Sequence, residues 1–246
     1  MKSDMSISKS CPVLPNLGVA LAVIGLVIAG EYFFRHYVLF WMPTIGSLRV
    51  NDMISLFLVY FLLLAGIGKV KKTNWRQELA GIWQAVQESA RSWNSTFWLI
   101  LLVLSIVILP FFDKLFWGRF ALPMVVSSHR NPTVWLGDLA PIMKALSLIL
   151  VNGVFVPIAE EYLWRGIAQA RLLRILPSAL AIGMTSVLFS FKHVLVDASW
   201  GRFLTLAAFG IICGVVARQK DWRSSAAFHI FINTIATVMG LVLGLG

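Results

Sequence analysis

Residues 158–166 read IAEEYLWRG, which sets Glu160, Glu161 and Arg165 inside a run that is otherwise apolar from about residue 139 onward. An ionisable side chain in hydrocarbon costs about 2.5–3.5 kcal/mol on insertion scales, so such groups mark a functional site by default. Two later stretches repeat the pattern. VLFSFKH (187–193) ends in His193, and FHIFIN (228–233) carries His229 and Asn233. The chain has only 4 histidines, and two of them stand in these runs.

Around these stretches the composition is that of an integral membrane protein. Of 246 residues 59% are hydrophobic and 13% charged, and the mean hydropathy is +0.82. Apolar runs long enough to cross about 30 Å of hydrocarbon fall near 17–34, 53–69, 96–116, 139–163, 178–195, 202–217 and 226–245. The expected fold is an all-α, multi-pass transmembrane bundle of about seven spans. No small-residue cleavage site follows the first run, which reads as a retained span and not a signal peptide. Segment 74–94 is too polar to span; Trp75, Leu79, Ile82, Trp83 and Val86 recur at helical steps, predicting an amphipathic helix at the interface. The chain divides into an N-terminal membrane region, 1–138, and a motif-bearing core, 139–246.

The net charge of +10 does not imply nucleic acid, because basic residues in membrane chains gather on cytoplasmic loops. Here they favour the segments flanking residues 69–76, 165–174 and 218–223, which places the N-terminus in the cytoplasm. The inner-facing turns then suggest access to the site from the cytoplasm. Cys11 and Cys213 offer neither a zinc spacing nor a disulfide framework.

The polar residues can reach one depth. A turn near Leu176-Pro177 leaves Glu160 and His193 each about 24 Å along antiparallel helices at 1.5 Å per residue. His229 and Asn233, four apart, share a face of the last helix. Glu161 and Arg165 have the same spacing and suit an ion pair that braces their helix, which leaves Glu160 for chemistry.

A carboxylate among apolar helices is expected to have a raised pKa and to serve as a general base. With His193 it would orient and deprotonate a water. His229 and the Asn233 amide are donors suited to the oxyanion that forms when water attacks an amide carbonyl. A catalytic zinc held by two histidines and a carboxylate is the competing reading, although H-E-x-x-H is absent and the histidines lie on different helices. Singly, each cluster has a structural explanation: an ion pair at a helix end, an interfacial histidine, polar helix packing. Phe189 reads as packing, Gly210 and Gly214 as permitting close helix contact, and Lys192 and Asp197 as residues flanking a span end. A proton relay or transporter would also bury such groups, but no inverted repeat is present.

EEYLWR, FSFKH (Phe189 to His193) and HIFIN (His229 to Asn233) fit E-E-x-x-x-R, F-x-x-x-H and H-x-x-x-N in order. Over about residues 140–245 the chain resembles the CPBP family, which includes the CAAX-processing endoproteases and the Abi proteins. The resemblance implies intramembrane proteolysis of the glutamate type: Glu160 and His193 activating water, His229 and Asn233 stabilising the oxyanion, and Glu161, Arg165 and Phe189 in support. It implies no cofactor, although the family was long described as metalloproteases. The implied partners are the bilayer and a membrane-tethered peptide, such as a lipid-modified tail, a leader or a sorting tail. The implied location is a bacterial or archaeal plasma membrane.

Overall fold

The computed structural model describes residues 13–38, 44–45, 48–91, 103, 109–117, 133–134, 139–197 and 199–242. Their helices are α1 (Val13–Val38), α2 (Leu48–Lys71), α3 (Trp75–Arg91), α4 (Leu109–Trp117), α5 (Leu139–Leu172), α6 (Ser178–Asp197), α7 (Phe203–Gln219) and α8 (Trp222–Val242). Thr44–Ile45 and Thr133–Val134 form a two-residue parallel ladder, too short to alter the all-α class. Helices predominate because hydrocarbon offers the backbone no hydrogen-bond partners, so each segment must satisfy its own.

α1, α2, α5, α6 and α8 are long and apolar enough to cross a membrane, and the chain is an integral membrane protein. The count of seven spans is not reached among the described residues. α7 is a shorter apolar helix, and the expected span at 96–116 lies mostly outside the described residues, which take it up only at 103 and from 109 onward. Large apolar side chains such as Leu26, Phe61, Leu62 and Leu180 remain exposed on the outer faces of the bundle, where lipid would solvate them.

The bundle closes around α5. Its Ala159, Leu163 and Trp164 are buried among Val23 and Val27 of α1, Tyr60 of α2, Phe189 of α6, Cys213 of α7 and Phe228 of α8. Small residues allow the approach. A Cβ on Gly210 would stand 3.0 Å from Ser186 of α6, and one on Gly214 would stand 2.8 Å from both Gln169 and Ile182. The carbonyls exposed by that approach are used: Arg165 Nη2 donates to Gly210 O (3.2 Å) and Gln169 Nε2 to Gly214 O (2.9 Å). These bonds join α5 to α7 in a setting where lipid removes most of the hydrophobic drive for association.

The amphipathic segment is helical, but its apolar side is divided. Ile82 and Ala85 are buried while Leu79 and Trp83 stay exposed. Gly81 lets Arg223 of α8 lie across α3, where its guanidinium pairs with Glu78 at 2.7 Å. Asp221 caps α8 by accepting the Ser224 N–H at 2.8 Å.

Candidate active site

The site begins with a proline. Pro157 in α5 has no N–H to donate, and the helix widens to i→i+5 hydrogen bonding over Leu148–Phe155 and Tyr162–Gln169, on either side of Val156–Glu161. Carbonyls left short of a partner need one inside a membrane. α8 supplies them: Asn233 Nδ2 donates to Asn152 O (3.1 Å) and Thr234 Oγ1 to Gly153 O (3.3 Å). Gly153 makes this contact possible, since a Cβ there would lie 3.1 Å from Thr234 Oγ1. The proline thus fixes α5 to α8 directly beside the glutamates.

Glu160 then faces a cavity of ≈ 870 Å³ lined by residues of α1, α2, α5, α6, α7 and α8. Its Oε1 lies 3.8 Å from His193 Nε2 and its Oε2 lies 3.9 Å from His229 Nε2. Both separations exceed a direct hydrogen bond, so neither imidazole is bonded to Glu160. His193 Nε2 is buried without a hydrogen-bond partner, while its Nδ1 is 3.7 Å from Asp197 Oδ2. Asn233 lines the same cavity, with its amide directed to Asn152 as described.

Glu161 points into a different environment. Its Oε1 accepts from His229 Nδ1 (3.0 Å) and lies 3.2 Å from Arg165 Nη1, and its Oε2 accepts from Ser225 Oγ (2.6 Å). The Arg165 guanidinium stacks over Phe189 at 4.7 Å, and the Phe189 ring also meets His193 edge-on at 5.1 Å. The bond from His229 to Glu161 has a chemical consequence. An ionised carboxylate only accepts, so Nδ1 carries a proton, and Nε2 can donate only when the ring is cationic.

Three polar residues at the site escaped the sequence reasoning. Lys192 does not merely flank a span end but is fully buried; its Nζ is 2.6 Å from Glu160 Oε1 and 2.8 Å from Glu31 Oε2. The Tyr60 hydroxyl stands 2.9 Å and 2.7 Å from the same two oxygens. A phenol has one proton and serves one carboxylate at a time, so the ammonium is the donor common to both. Glu160 is therefore not the isolated acid that burial among apolar helices suggested, but part of a buried ion-paired cluster. Glu31 itself was legible as a third glutamate in an apolar run. Its pairing with Lys192 was not, since that depends on how α1 and α6 rotate toward each other. Toward the cavity rim, Arg35 pairs with Asp52 (2.9 Å) and Asp197 (2.8 Å), and Arg202 lies 3.8 Å from Asp197.

The site is thus a buried carboxylate flanked by two imidazoles within a polytopic helical membrane protein. Residues 142–235, which carry all three motifs, match the family described as Type II CAAX prenyl endopeptidase Rce1-like. No curated protein and no solved structure matches the chain significantly.

Proposed function

We propose that the chain is an intramembrane endopeptidase of the glutamate type acting on membrane-tethered peptides. The observation that carries this reading is the placement of both Glu160 oxygens opposite imidazole nitrogens, at 3.8 and 3.9 Å, within one cavity. Lys192 and Tyr60 engage Oε1, which leaves Oε2 as the oxygen that accepts a proton. Water held between Glu160 and the histidines loses that proton to the carboxylate, and the hydroxide attacks the amide carbon. The carbonyl oxygen becomes an oxyanion, met by cationic His229 and the second N–H of the Asn233 amide. As the C–N bond breaks, the proton held by Glu160 passes to the departing nitrogen. Glu161 and Arg165 hold His229 and α5 in position, with Phe189 packed between the groups.

The mechanism uses no metal. A zinc bound by Glu160, His193 and His229 would lie about 2 Å from a carboxylate oxygen, in the repulsive field of the Lys192 ammonium 2.6 Å from Oε1. Glu161, Cys213 and His229 also present ligand atoms within 4.8 Å of one another. There Glu161 is already engaged by Arg165, Ser225 and His229. The matched family's description names a prenyl CAAX endopeptidase; peptide hydrolysis is carried over to this chain, and the prenyl group is not.

The test is a comparison of protein termini in membranes of cells with and without the chain. New termini within or beside membrane segments are expected only where it is present. Identical sets of termini in a host that supplies its native membrane proteins would overturn the reading.

A further inference from the structure

The cavity has a direction. Residues contributed by α8 run from His229 through Asn233 and Ala236 to Gly240, away from the α7–α8 turn. Those of α6 run from Phe189 through His193 to Asp197, at the helix's C-terminal end. α1 contributes Glu31 and Arg35 near its C-terminus, α2 contributes Asp52 and Met53 near its start, and Gly201 and Arg202 precede α7. No lining residue comes from the turns joining α2 to α3, α5 to α6 or α7 to α8. At 1.5 Å per residue His193 lies about 6 Å along α6 from the rim end, and Glu160 lies about 30 Å along α5 from Leu139 at that end and about 18 Å from Leu172 at the other. The Arg202 side chain at the rim is 65% exposed.

Charge distinguishes the same two ends. The closed end carries Lys69, Lys71 and Lys72 after α2, Arg171 and Arg174 at the α5–α6 turn, and Arg218, Lys220 and Arg223 around the α7–α8 turn. Acidic residues there are few: Glu78 pairs with Arg223, as does Asp221. At the open end Arg35, Arg49, Lys114, Lys144 and Arg202 stand against Asp52, Asp113 and Asp197. Arg35 and Arg202 pair with Asp52 and Asp197, and Asp113 of α4 caps α7 through the Leu204 and Thr205 N–H groups, so the larger basic excess lies at the closed end. Lys/Arg excess in short loops next to spans marks the cytoplasmic side.

We infer that the cavity opens on the face of the membrane opposite the cytoplasm, and that the substrates are polypeptides already inserted or translocated, presenting their scissile bond from that face. This rests on the endopeptidase reading for the word substrate, and on charge and geometry alone for the direction. It departs from the cytoplasmic access suggested by the turns, because none of those turns lines the cavity. It also separates this chain's substrates from tails that remain in the cytoplasm.

Cysteine labelling of the full-length protein in intact cells tests the direction without any cleavage. A membrane-impermeant maleimide is expected to label Arg202→Cys and Gly201→Cys above the parent chain. Lys220→Cys and Lys71→Cys, at the exposed closed end, are expected to label only after the cells are opened. Labelling of the closed-end positions in intact cells, or of the rim positions only after opening, would overturn the inference. Two positions at each end guard against one variant that fails to fold. Loss of the endopeptidase reading would leave the labelling result standing.

Discussion

Glu160 and Glu161 are adjacent in sequence and almost equally buried, yet they belong to two regions with different physics. Around Glu161 the carboxylate is enclosed by donors: Arg165 of its own helix, and Ser225 and His229 of α8, close on it. Around Glu160 one oxygen is held by Lys192 and Tyr60, and both oxygens face imidazole nitrogens at 3.8 and 3.9 Å without bonding them. The step of about 100° between successive helical residues turns one carboxylate into the seam between helices and the other into the cavity. A saturated carboxylate braces a fold. A carboxylate with an unfilled side can take and return a proton.

If this contrast is right, substitutions on the cavity side remove activity and those in the seam remove stability. His193→Ala is expected to lower the cleavage rate by ~10²–10⁴-fold, the usual range for a general acid–base partner, with little change in thermal midpoint. A large fall in the midpoint would place His193 in the seam class. In the seam, Glu161→Gln or Arg165→Met leaves a buried partner unpaired and should cost about 3–5 kcal/mol, read as a lowered unfolding midpoint in detergent. Lys192 tests the boundary between the two. Lys192→Met leaves Glu31 and Glu160 without their shared cation, and Glu31→Gln in that background should recover part of the lost stability. A coupling of about 0.5–3 kcal/mol between the two substitutions is expected in a double-mutant cycle, and additivity would dissolve the cluster.

Smaller effects lie outside both regions. Partial burial disfavours the Asp221 charge, but hydrogen bonds from Ser224 and Arg223 outweigh it and hold this carboxyl below the usual aspartate range. A depressed folded-state pKa stabilises above the unfolded value and is lost as pH falls through the folded one. Asp221→Ala should therefore cost about 1 kcal/mol, typical of a helix cap, at neutral pH and less in acid, which unfolding at two pH values would measure. At the bottom of the scale, a strong chelator should leave cleavage unchanged. Inactivation that zinc reverses would return the metal reading.

Much of this was legible in the sequence, for reasons of periodicity. Apolar runs gave the helices, proline and the charged turn gave the bends after α5 and α7, and helical spacing gave the pairing of Glu161 with Arg165. Counting residues from the bend after α5 put Glu160 and His193 at one depth, whereas His229 joins them only if the α5–α6 hairpin projects beyond the α7–α8 turn, which the spacing alone does not fix. Rotation between helices distant in the chain left no such trace. Lys192 precedes His193 and should lie about 100° around α6 from it; only the placement of α1 and α2 shows that this direction leads to Glu31 and Tyr60. Asn233 was legible as a cavity residue, whereas its bond to the Asn152 carbonyl depends on the local widening of α5 near Pro157. Basic turns suggested a membrane side in the sequence but carried no sign of which end of the bundle is hollow, which depends on how the helices pack.

The central claim is that Glu160 is the proton-accepting group of a hydrolase, and Glu160→Gln tests it most directly, because the amide keeps the shape and removes the base. Measured in the same membranes by the appearance of new substrate termini, cleavage should vanish while the protein keeps its level and its unfolding midpoint. Termini that still appear at the wild-type rate from the folded Glu160→Gln protein would contradict the account.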